Sequence, residues 1–186
     1  MTNALKQRII GLCILLAFPL FGGGQAMLGT ELHGLGLFLC LINSLVVILA
    51  GFMMRSVMAT SAPRSGDIYF GTRIVEGLFL GLSVLGVHGS FLGLTMTSNT
   101  LYQIAMTVLG LGSLPMCRWL IGSNFVPKWL ETSGFVGYLC LVAAMGAAAY
   151  GAETASVALL LPGAVFEVSF GLFLALRGRK YVRQSL

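Results

Sequence analysis

Apolar positions run along this chain in six long blocks broken by short polar seams. The blocks cover about residues 9–27, 32–54, 69–94, 100–121, 133–150 and 154–176. An α-helix needs roughly 20 such residues to cross the hydrocarbon of a bilayer. None of the blocks shows the apolar/polar alternation over about ten residues that marks a barrel strand. Backbone groups in lipid must also find hydrogen bonds within their own segment, which a helix provides. The pattern therefore predicts an all-α polytopic membrane protein, a bundle of six transmembrane helices forming a single transmembrane domain over residues 1–186.

Composition agrees. Of 186 residues, 57% are hydrophobic and 9% charged, with a mean hydropathy of +0.93. Soluble domains usually carry about 25% charged residues. The blocks use nearly the whole chain, so no sizeable soluble domain remains. Pro19, Pro115 and Pro162 fall inside blocks and predict local kinks.

The cations set an expected orientation. Lys6 and Arg8 precede the first block, and Arg55, Arg64 and Arg73 surround the second connection. Arg118 and Lys128 surround the fourth, and Arg177, Arg179, Lys180 and Arg183 follow the last block. These are all 11 Lys and Arg residues. The connections "LGTEL", "TMTSN" and "GAET" hold none. Positive loops stay inside, so both termini are expected in the cytoplasm, and a bacterial cytoplasmic membrane is the expected location. The net charge of +5 is then a topology signal, and a nucleic-acid partner has no support. Trp119, Trp129 and Tyr181 lie near the same edge and read as interfacial anchors. A cleaved signal peptide is the competing reading of the first block, and it would leave five spans. Cys13, Cys40, Cys117 and Cys140 sit in four different blocks with no metal-binding spacing, and read as small apolar residues.

Against this background the polar residues inside the blocks stand out. "TRIVEG" places Arg73 and Glu76 one helical turn apart. On one helix face they join Gly77, Gly81, Ser83 and His88, while Ile74, Leu78 and Leu82 point elsewhere. The Gly77/Gly81 pair lets a second helix approach closely, so this face should point into the bundle. Arg73 is expected near the cytoplasmic boundary, where it can snorkel. Glu76 lies deeper, and pairing with Arg73 offsets a cost on the order of 3 kcal/mol for a charge at mid-membrane. In the last block Gly163, Glu167 and Gly171 form a stripe. Glu167 lies about ten residues, roughly 15 Å, inside the cytoplasmic end and has no cation in its own span. It must be protonated, hydrogen-bond a neighbour, or meet Arg73. Asn43 in the second block, and Gln103 with Thr107 and Gly110 in the fourth, suit the same interior. This Asn43–Arg73–Glu76–Gln103–Glu167 set is the candidate polar core or ligand site.

Glu31, His33 and His88, with Glu153, could make a metal site on the other half, and two histidines on two helices could hold a haem. No HExxH motif accompanies them and their expected depths differ by about 10 Å, so the sequence implies no cofactor. GxSxG, Walker and dinucleotide-binding patterns are missing, as is the inverted repeat of many transporters. "GGG" at Gly22–Gly24 has no lysine and no strand before it.

Several segments carry a family resemblance: "NSLVVILAGFMMR", "TRIVEGLFL", "SNFVPKWLETSGFVGYLCLVAA" and "LPGAVFEVSFGLFLALRG". The most specific parts are "VPKWL...G..GY" and "FE...GL.L...G". The chain resembles the bacterial membrane proteins grouped as domain-of-unknown-function family 4386, with a similar pattern at Asn43, Arg73, Glu76 and Glu167. The resemblance covers most of the chain. It implies a six-helix fold and no particular activity.

The expected function is a non-enzymatic membrane protein whose polar interior binds or passes a small molecule or a lipid headgroup. Arg73 would pair an anionic group, Glu76 would orient Arg73, Glu167 would be the titratable acid and Asn43 a hydrogen-bond partner. Two other classes stay open: an intramembrane lipid-modifying enzyme with Glu167 as acid/base and the histidines on a metal, and a non-catalytic scaffold or subunit. The bilayer is the one partner the sequence names, and no signal bears on oligomeric state.

Overall fold

The computed structural model describes residues 3–86, 89–91, 94–123 and 125–183. Six helices dominate it: α1 (Asn3–Leu28), α2 (His33–Met58), α3 (Pro63–Val84), α4 (Ser98–Leu120), α5 (Lys128–Ala149) and α6 (Glu153–Arg183). Helices α1, α2, α4, α5 and α6 are long and apolar enough to cross a membrane. Helix α3 is of similar length but carries Arg64, Asp67, Arg73 and Glu76. Large apolar side chains such as Leu45, Phe38, Leu78 and Val165 remain exposed on the outer surface. That is what a lipid-facing surface requires.

The helices form a closed ring. Each packs along its chain neighbours, and α6 returns to pack on α1. Among the described residues no backbone contact crosses the ring, so opposite helices meet only through side chains. Glycines set several seams. A methyl group at Gly77 would lie 2.7 Å from the Ser44 carbonyl oxygen, so α2 and α3 are in backbone contact there. At Gly137 it would lie 3.0 Å from Gly163 Cα, which fixes the α5–α6 seam.

The third helix departs from the expected span of 69–94. It starts six residues earlier and ends ten earlier. Pro63 occupies its first turn, where the missing N–H costs nothing. Its polar opening turns are held on α2 by an Arg55–Asp67 ion pair of 2.5 Å. At the other end Gly86 adopts φ 64°, the left-handed conformation that stops helices. Apolar residues beyond it form a hairpin instead, with β1 (Gly89–Phe91) antiparallel to β2 (Leu94–Met96). Hydropathy reads such a stretch as more helix, because it carries no charge to mark the break. The shift places Arg73 near the middle of α3, so it is a bundle-interior residue and does not snorkel at the boundary.

The interior is uneven along the ring axis. At the end that carries the Lys and Arg residues it is solid. Met54, Met58, Met116, Leu120, Leu130 and Leu174 are fully buried and fill it. Arg177 seals this end by donating to the Phe125 carbonyl oxygen and lying over the Phe125 and Phe173 rings. The other half contains empty space, in cavities that share lining residues such as Phe21 and Tyr102.

Candidate functional site

The polar residues gather where the solid half meets the hollow half. Arg73 is 4% exposed and Glu76 3%. Both sit on the inward face of α3, because Gly77 pins the adjacent stripe against α2. Each nitrogen of the Arg73 guanidinium donates to a different neighbour. Nε donates to Tyr69 Oη at 2.9 Å, Nη1 to Glu76 Oε2 at 2.9 Å, and Nη2 to Glu167 Oε1 at 3.3 Å. The same Glu167 oxygen accepts from Tyr138 Oη at 3.0 Å. Since α3 and α6 are opposite members of the ring, the Arg73–Glu167 pair is a strut across it.

The glycine stripe on α6 explains how Glu167 reaches the centre. Gly163 faces α5 and Gly171 faces α1, where a methyl group would lie 3.0 Å from Leu15 Cγ. Both flanks of α6 are thus held tight, and the residue between them points inward. A second cross-ring contact lies further along the axis: the Phe21 ring on α1 stacks on Tyr102 on α4 at 5.9 Å and 9°.

Three cavities surround this set. One of about 260 Å³ is lined by Asn43, Arg73, Glu76, Glu167, Phe21 and Tyr102, among others. A second, about 210 Å³, shares Glu167, Tyr102 and Phe18 with it and extends along α5 past Tyr138. The third, about 430 Å³, is a vestibule at the cation-free end. Its rim includes Gln25, Gly86 and Asn99, all exposed, and its floor includes Phe21 and Tyr102. The aromatic pair therefore lies between the vestibule and the polar cavity. Asn43 is 2% exposed, and its Oδ1 has no hydrogen-bond partner.

Of the five core residues read from the sequence, the structure brings Asn43, Arg73, Glu76 and Glu167 to one cavity. Gln103 lines neither cavity at the cluster; its neighbour Tyr102 lines both. One residue of helix is a 100° rotation, which is enough to exchange the amide for the phenol. Tyr69 and Tyr138 were missed. The available signal for Tyr69 was its position one turn before Arg73, where its hydroxyl can meet the guanidinium.

The histidine set is not assembled among the described residues. His33 is exposed, with Nδ1 2.6 Å from the Leu28 carbonyl oxygen in the α1–α2 turn. Glu31 is exposed in the same turn, and His88 lies outside the described residues. Among those residues no group of three His, Cys, Asp or Glu side chains could hold a metal ion.

Residues 24–178 match the family model described as "Domain of unknown function (DUF4386)". The chain belongs to this family. The matched segment runs from the end of α1 to the charged end of α6 and includes Asn43, Arg73, Glu76 and Glu167. No curated protein and no solved structure matches the chain. In this DUF4386 protein the shared motifs and the polar cluster coincide at Arg73, Glu76 and Glu167.

Proposed function

We propose that this protein is a multi-pass binding protein of a bacterial cytoplasmic membrane, holding a small molecule or a lipid headgroup in a one-sided intramembrane pocket. One observation carries the reading. Within a largely apolar wall, the empty space reaches a buried guanidinium, two carboxylates and an amide. Ionisable groups inside a membrane are costly, and they mark ligand or ion paths by default. A register-fixing cluster would be packed solid, since each void beside it forfeits dispersion contacts.

The site favours binding over free passage, because the basic half of the ring is filled by Met, Leu and aromatic side chains. Transport through this protein would need that filling to move. The cation distribution supports cytoplasmic termini, with the vestibule then facing the opposite, external side. Cysteines introduced at Thr30 and at Ser61 test this orientation. An impermeant maleimide added to intact cells should label the first and spare the second.

Native mass spectrometry of the protein released from detergent tests the binding reading. The expected result is a retained small molecule or lipid that is lost in Gly22→Leu. Gly22 lines the polar cavity, and a Cβ added there meets nothing within 4 Å. A folded wild-type protein that never retains a mass sensitive to this substitution would leave the scaffold reading in its place.

A further inference from the structure

The sequence alone suggested that Arg73 would attract an anion. The geometry argues otherwise. All three guanidinium nitrogens already donate to residues of the site itself. Three of its five N–H groups are engaged, two of them with carboxylates, so an anion approaching Arg73 would also meet the negative charge of Glu76 and Glu167. Two carboxylates face this one cation, so the formal balance at the cavity wall is negative. The Asn43 Oδ1 is a buried acceptor with no donor, on the wall of the same cavity. Leaving an acceptor unpaired in an apolar setting is costly, so a ligand that supplies an N–H gains by it. Phe18, Phe21 and Tyr102 complete the wall, and aromatic faces attract cations within about 6 Å. The connections at the vestibule end carry Glu31 and Glu153 and no Lys or Arg. Such a field raises the local concentration of cations.

We infer that the pocket takes a small organic cation, an ammonium group on an apolar body, which enters from the vestibule past Phe21 and Tyr102. Its charged head meets Glu167 and Asn43, and its apolar body lies along Phe18 and Met106. Glu167 is the contact acid because it lines both inner cavities and its side chain is 20% exposed, against 4% for Glu76. The polar cavity of about 260 Å³ holds roughly nine water volumes, which suits a head group with a short body. The inference rests on the pocket reading above and specifies its ligand class.

The test uses the full chain in dodecyl maltoside, an uncharged detergent. Benzyltrimethylammonium and benzylphosphonate, of similar shape and opposite charge, are titrated alongside benzylammonium, followed by calorimetry and by the thermal midpoint. The ammonium should bind saturably and raise the midpoint. Glu167→Gln should weaken it about tenfold, in line with losing a charge-assisted contact. Asn43→Ala addresses the possibility that Glu167→Gln fails to fold. Because a quaternary probe has no N–H, Asn43→Ala should leave it nearly unchanged yet weaken benzylammonium severalfold. Asp67→Asn, on the outer face of α3, should leave both bound as in wild type. Preferential binding of benzylphosphonate would overturn the cation assignment and leave the pocket standing. If none of the probes binds while a native mass is retained and lost in Gly22→Leu, the cation assignment again fails alone. If no probe binds and no mass is retained, both readings fail together.

Discussion

The two halves of the ring are built from the same six helices yet are filled differently. Toward the charged end, Met54, Met58, Met116, Leu120 and Leu174 close the centre with 0% exposure. Toward the other end, Ala17, Gly22, Gly163 and Ala164 line the space beside Phe18, Phe21, Tyr102 and Met106, and it stays open. Ring closure alone does not decide this, since the same six helix pairs bound both halves. What differs is how far the facing side chains meet across the centre, and the polar cluster marks the level where the change occurs. A six-helix ring whose opposite members share no backbone contact must be filled by long side chains or remain hollow. This one does both.

Arg73 is where the comparison is most easily broken. Arg73→Met leaves Glu76 and Glu167 inside the bundle without a countercharge, and removing one partner of a buried pair costs about 3–5 kcal/mol. The expected outcome is loss of the folded species on size exclusion, or a large drop in the thermal midpoint. A midpoint within a few degrees of wild type would show that water, not the guanidinium, solvates the acids. Next come paired truncations of the two halves. Met116→Ala in the solid half should cost about 2–4 kcal/mol, as large-to-small changes in packed cores do. Met106→Ala on the cavity wall should cost less than half of that, because it loses fewer contacts. Equal costs would mean that the two halves are packed alike.

Glycine substitutions sharpen the comparison at smaller scale. Gly77→Ala drives a methyl group against the Ser44 carbonyl and should cost about 1–3 kcal/mol as overpacking. Gly23→Ala meets nothing within 4 Å and should be neutral or slightly stabilising. The smallest effect belongs to Asp67→Asn. Its pair with Arg55 is 48% and 57% exposed, and pairs of that kind contribute about 0–1 kcal/mol. Denaturation midpoints measured in one detergent rank all of these.

Much of this was legible in the sequence, for identifiable reasons. The helices are written in hydropathy because lipid tolerates little else. The Arg73–Glu76–Glu167 association, across a separation of 94 residues, was readable because a lone acid deep in a membrane needs a cation and the interior offers one. The family match was readable from motifs around these residues. Other features were not readable. The end of α3 was hidden because the hairpin after Gly86 is as apolar as a helix. Tyr102 was missed in favour of Gln103 because polarity was used to judge which residue faces inward, and in this ring an aromatic does so. The hollow itself depends on summed volumes at facing positions, which no single segment records.

The strut across the ring also bears on how the chain enters the bilayer. Glu167 emerges from the ribosome 94 residues after Arg73, roughly 5–20 s later at ordinary rates of synthesis. Helix α3 must therefore wait in lipid with its guanidinium shared only by Glu76 and Tyr69, on a segment too charged to rank with the other five. The local pair thus lowers the cost of holding this helix in the bilayer until its distant acid arrives.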